Sequence, residues 1–67
     1  MTVANFMYYS VDVDWQDIEI YDIDKNKTVY RGYYADIPEK YDNAEVVSFD
    51  IVDTHTDHIT FNVSLKN

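Results

Sequence analysis

The chain reads as a mainly β domain of the α+β kind, built on a single small, largely antiparallel sheet of about five strands. One short helix is expected between strands 3 and 4, and the sheet has room to curl toward a barrel. Three observations predict this class. From Val46 to Leu65 the apolar residues fall on alternate positions either side of a central turn. A second alternating pair of runs flanks Asp24-Lys25-Asn26-Lys27. Between the two lies Asp36-Ile37-Pro38-Glu39, a spacing that opens a helix.

In chain order, residues 3–13 are expected to form the first strand. Met7, Tyr9, Val11 and Val13 share one side, and Tyr8, Ser10 and Asp12 the other. The phase then breaks, because Ile18 and Ile20 are even where the earlier set is odd. This puts either a hairpin turn or a bulged, bent strand at Asp14-Trp15-Gln16-Asp17. Residues 17–23 and 28–34 make the next hairpin. Asp suits the first position of its turn, and Asn26 tolerates the left-handed conformation that closes such loops. Gly32, the only glycine, marks either a bulge or a backbone closely approached by a large side chain.

Residues 36–42 then supply one or two helical turns with Asp36 as the cap. Pro38 is allowed in a first turn, and Ile37 and Tyr41, four apart, anchor the helix on the sheet. The final hairpin folds about Thr54-His55-Thr56. Asp53 then faces Asp57, Ile51 meets Ile59, Phe49 meets Phe61 and Val47 meets Val63. Ser48, Asp50, Thr60, Asn62 and Ser64 share the opposite side. A slip of one residue would set apolar side chains against polar ones, so the register is well specified.

Length allows one domain, residues 1–67, and no cysteine is present to staple it. Packing must hold it together, with three Phe, seven Tyr and one Trp concentrating the apolar area. The first nine residues lack a basic n-region and an apolar core suited to export. No run approaches the roughly 20 apolar residues of a membrane span. A cytoplasmic setting is expected.

Charge is the most unusual property. Thirteen acidic residues stand against five basic ones, for a net −8 at neutral pH. Such a field repels nucleic acid and anionic membranes and attracts cations and basic proteins. It also keeps a small domain soluble.

Enzymatic chemistry finds no support in the residues. One glycine leaves no phosphate-cradling loop and no nucleophile elbow. Ser10, Ser48 and Ser64 have no histidine placed to activate them. A domain this thin does not form the cleft that paired glycosidase carboxylates need. No catalytic residue and no cofactor is expected. Asp53, His55, Asp57 and His58 are the one cluster of metal-ligand types, so a cation-binding turn at His55 and His58 is an alternative. Asp22-Ile23-Asp24-Lys25-Asn26 starts like a calcium loop, but Lys27 replaces the required glycine and Tyr33 the closing glutamate.

What remains is the acidic segment from Asp12 to Asp24. Asp12, Asp14, Asp17, Glu19, Asp22 and Asp24 lie in thirteen positions with no basic residue among them. Strands paired about Trp15-Gln16 would gather Asp12, Asp14, Asp17 and Glu19 on one exposed face, with Asp12 opposite Glu19. Opposed like charges destabilise a sheet, so the crowding points to a partner that neutralises it. Carboxylates two apart on a strand lie about 6.6–6.8 Å from each other, a row that meets the lysines and arginines of a nucleic-acid groove. Tyr21, with Tyr8, Tyr33 and Tyr34, supplies rigid amphipathic contacts.

In size, absence of cysteine, β-rich pattern and the run Asp12-Val13-Asp14-Trp15-Gln16-Asp17, the chain resembles the small acidic proteins that phages and mobile elements use against host defence. These include anti-CRISPR and anti-restriction nucleic-acid mimics. Such inhibitors share no common fold, so the resemblance transfers no site. The expected function is a non-enzymatic inhibitor in the host cytoplasm that occupies a basic surface of a partner, such as the nucleic-acid groove of a defence nuclease. The expected contacts are Asp12, Asp14, Asp17, Glu19, Tyr21, Asp22 and Asp24, with no direct binding of nucleic acid or membrane. Monomer and homodimer both remain open, and an assembly subunit working through its sheet edges as a homo-oligomer is the alternative class.

Overall fold

The computed structural model describes residues 1–8, 13–53 and 57–65, and at Val13, Asp53 and Asp57 the backbone alone. The chain opens with a helix where a strand was expected. Thr2 Oγ1 accepts the Asn5 N–H at 3.1 Å, and Asn5 Oδ1 accepts the Thr2 N–H at 3.1 Å. This reciprocal cap starts α1, Val3–Tyr8. Val3 and Met7, four apart, are both buried, and Phe6 packs beside them. Spacings of three and four in Val3, Phe6 and Met7 outweigh the period-2 reading over 3–8, and residues 9–12 of the expected strand lie outside the described residues. A single 3-10 turn, Val13–Trp15, follows in place of either a hairpin or a bent strand.

Four strands come next: β1 (Asp17–Asp22), β2 (Lys27–Tyr33), β3 (Glu45–Asp53) and β4 (Asp57–Ser64). Among the described residues they form one mixed sheet in the order β2-β1-β4-β3, not the five strands expected. β1–β2 and β3–β4 are antiparallel hairpins, while β1 and β4 run parallel at the centre. The two hairpins were legible in local turn chemistry, whereas their parallel junction has no local signal. β2 and β3 are open edges, so the sheet does not close into a barrel.

The first hairpin turns through Asn26, at φ 57°. A register shift between Ile20 and Tyr21 leaves Val29 unpaired as a bulge. Gly32 is not that bulge. A Cβ there would lie 3.1 Å from the Tyr30 hydroxyl oxygen, so the glycine makes room for that side chain. The Tyr30 hydroxyl donates to the Tyr33 carbonyl at 2.6 Å.

The connection to β3 contains a 3-10 turn, Tyr34–Asp36, and α2, Glu39–Asp42. The expected cap at Asp36 is not used, and Pro38 is the N-cap instead. Proline excludes the helical region for its predecessor, and Ile37 is accordingly extended at ψ 131°. The helix therefore starts two residues later than expected, its cap moving from Asp36 to Pro38. Ile37 and Tyr41 still pack against the core.

In the β3–β4 hairpin, Asp53↔Asp57, Ile51↔Ile59 and Phe49↔Phe61 pair as the alternation predicts. A shift between Val46 and Ser48 then breaks the expected Val47↔Val63 match and pairs Val63 with Val46. The turn at Thr54-His55-Thr56 lies outside the described residues. The core forms where the two inner strands meet. Ile18 lies beside Ile59 and Ile20 beside Phe61, with Val3, Met7, Ala44, Val46 and Val63 completing it. Phe6 of α1 stands edge-on to Phe61 at 5.0 Å and tilted against Phe49 at 4.8 Å. Both helices thus serve one side of the sheet. Among the described residues no helix is long and apolar enough to cross a membrane.

Candidate protein-binding face

Among the described residues no helix covers the other side of the sheet. Alternation along β1 sends Ile18, Ile20 and Asp22 into the core and leaves Asp17, Glu19 and Tyr21 on the far face. Directly paired residues share a face, which gives three rows across the four strands. The first row is Tyr33, Asp17, His58 and Val52; the second is Arg31, Glu19, Thr60 and Asp50. The third is Thr28, Tyr21, Asn62 and Ser48. Every one of these side chains is half-buried or exposed. Trp15 stands edge-on to Tyr33 at 5.6 Å and extends the face beyond the first row.

Its electrostatic centre is a histidine between two carboxylates. His58 Nδ1 lies 2.9 Å from Asp17 Oδ2, and Nε2 lies 3.4 Å from Glu19 Oε1. The ring can donate to both only as an imidazolium. Glu19 Oε2 also accepts the Thr28 hydroxyl at 2.5 Å. Asp50 is held loosely, with the Asn62 amide 3.5 Å from Oδ2 and 3.1 Å from the Ser48 hydroxyl. The Tyr21 hydroxyl donates to Asn26 Oδ1.

The seven residues expected to bind a partner are not one row. Asp17, Glu19 and Tyr21 share the open face. Asp14 is exposed in the 3-10 turn. Asp24 sits in the β1–β2 turn, where Oδ2 accepts the Ser64 hydroxyl at 2.8 Å. Asp22 is buried on the opposite side. Asp12 lies outside the described residues. Glu19 pairs with Arg31 on one side and Thr60 on the other. Asp50 and His58 join the face through the parallel junction, and the even-numbered alternation of β3 and β4 was the signal that could place them there. Of the cation-binding alternative, His55 lies outside the described residues, and His58 faces β1.

Among the described residues no lysine or arginine pairs with these acids. Among the described residues, Lys25, Lys27, Arg31 and Lys40 make no ion pair, and the ion pairs present use only His58 and the N-terminal amine. Lys40 instead lies over the Tyr41 ring at 4.9 Å. Away from the face, the Tyr34 hydroxyl donates to Asp42 Oδ1 at 2.5 Å. Burial first, and then Asp42, push this phenol well above its ordinary range. Burial and Asp36 raise Tyr30 in the same direction. No protein family, curated protein or solved structure matches the chain.

Proposed function

We propose that this is a non-enzymatic acidic binding protein that lays the open face of its sheet on a basic protein surface. The observation that supports it is the shared placement of half-buried Asp17 and Glu19 with exposed Asp50 on one face, in a chain of net −8, with no described lysine or arginine paired to them. Trp15 and Tyr33 provide aromatic area at one end of that face. The most concrete partner is the nucleic-acid groove of a defence nuclease in a host cell, inhibited by occupancy. A basic groove already selected for phosphates meets carboxylates with the same donors. Exposed charge mainly steers the encounter, so association should be fast and salt-sensitive.

The test is competition against duplex DNA on purified nucleic-acid-binding nucleases, followed by gel mobility. The protein should displace DNA at low salt and lose that ability as salt rises. A combined Asp17→Asn, Glu19→Gln, Asp50→Asn variant should displace it poorly. Displacement that survives this variant, or DNA that stays bound throughout, removes the reading.

A further inference from the structure

We infer that β3 accepts an added strand from its partner along Val47–Asp53, and that this strand alternates apolar residues with lysine or arginine. The first three residues of this edge region already show the geometry. Val46 N–H donates to the Met1 carbonyl at 2.7 Å, and Val3 N–H donates to the Ala44 carbonyl at 3.2 Å. Thr2 and Glu45 form an antiparallel bridge. Since β4 occupies the inner edge at Glu45, this stub lies on the outer one. It stops there, and among the described residues nothing pairs with the outer edge of Val47–Asp53.

An unpaired edge is a template for another chain; the bulge between Val46 and Ser48 blunts only the start of β3, and lysine or proline are the further devices proteins use. β3 contains neither. It also presents apolar side chains to solvent. Phe49 is 44% exposed and Ile51 57%, although their partners Phe61 and Ile59 are buried. The helical cover reaches Phe49 through Phe6 but leaves Ile51 bare.

Charge selects the occupant. β3 carries Glu45, Asp50 and Asp53 and no basic residue. An incoming strand with apolar residues against Phe49 and Ile51 sends its alternate residues to the face of Asp50, where a cation is favoured. A second copy fits worse. The two-fold pairing that matches apolar residues, centred on Phe49, sets Glu45 opposite Asp53 of the copy and brings −8 against −8. The sign of the added strand's charges rests on the proposed basic partner; the strand addition itself does not.

The probe is a synthetic heptapeptide alternating lysine with valine or isoleucine, with two further versions N-methylated at its odd or its even residues. Only one edge of a strand faces β3, so one methylated version should bind like the parent and the other should lose about tenfold or more, the loss expected from removed backbone hydrogen bonds. A glutamate-for-lysine peptide should also bind at least about tenfold more weakly. Ile51→Lys should weaken the lysine peptide by about tenfold or more, and a variant that binds it like the parent overturns β3 as the site. Equal binding of both methylated versions overturns strand addition, and so does a solution mass of two chains. Equal binding of the glutamate peptide overturns the choice of a basic strand. The methylated pair reads strand addition alone and the competition with DNA reads the open face, so either idea can fail without the other.

Discussion

Asp22 shares the phase of Ile18 and Ile20 along β1, which turns it into the core at 1% exposure. Its Oδ1 accepts the N–H groups of Asp24 at 2.9 Å and Lys25 at 3.2 Å, which holds the start of the β1–β2 turn. Its Oδ2 is buried with no hydrogen-bond partner among the described residues. One oxygen therefore stabilises the turn while the other costs free energy by losing water. Asp22→Ala removes both acceptor contacts and should cost about 1–3 kcal/mol in urea unfolding. Asp22→Asn keeps the accepting oxygen and exchanges one unpartnered atom for another, so its cost should stay under about 1 kcal/mol. Equal losses for the two variants would show that the turn contacts contribute little. Counting acids along the chain places Asp22 beside Asp24 in a binding row. Counting by twos from Ile18 would have put it in the core, so the information was present but was set aside by charge.

At the scale of elements, what could be read depended on whether the determinant was local. Asn26 at positive φ and the Ile51–Ile59 and Phe49–Phe61 pairs follow from turn chemistry and alternation, both local signals. The parallel contact that sets Asp17 against His58 joins residues 41 apart and has no such signal. α1 is the instructive failure. Val3, Phe6 and Met7 contain a helical spacing, and Thr2 and Asn5 a capping pair, but Met7, Val11 and Val13 also alternate, and six residues hold too few turns to separate the periods. So short a helix is marginal alone, and its stability must come from packing under the sheet. Met7→Ala should accordingly cost about 2–5 kcal/mol, as expected for a fully buried side chain. Thr2→Ala should cost about 1 kcal/mol by removing one cap. In a chain this small the first loss approaches the whole stability, so thermal melts of Met7→Ala should show partial unfolding near room temperature. If the order of the two costs were reversed, the cap and not the packing would be holding the helix.

For the whole molecule, the net charge of −8 sets a background of self-repulsion, and Tyr34 adds a specific alkaline limit to it. The phenol ties the exit of β2 to Asp42 of α2 and is raised by burial and by that carboxylate. In the unfolded chain the group titrates near its ordinary value of about 10. Above that pH the unfolded state releases the proton while the folded state keeps it, so fewer protons are bound unfolded than folded and stability falls as pH rises. The contribution is fully present below the unfolded value and is lost on the way up to the folded one. Tyr30 acts in the same direction. General charge repulsion also grows with pH, but the two effects separate by salt. At 1 M salt the screening length is about 3 Å, which removes most repulsion between distant acids while leaving a half-buried phenol in contact with its carboxylate. Urea midpoints measured in 1 M salt should therefore still drop between pH 8 and pH 11, and Tyr34→Phe should flatten most of that drop while lowering the midpoint at pH 8 through the lost hydrogen bond. A drop that disappears in salt, or that Tyr34→Phe leaves intact, would assign alkaline unfolding to the net charge alone and release Tyr34 from this role.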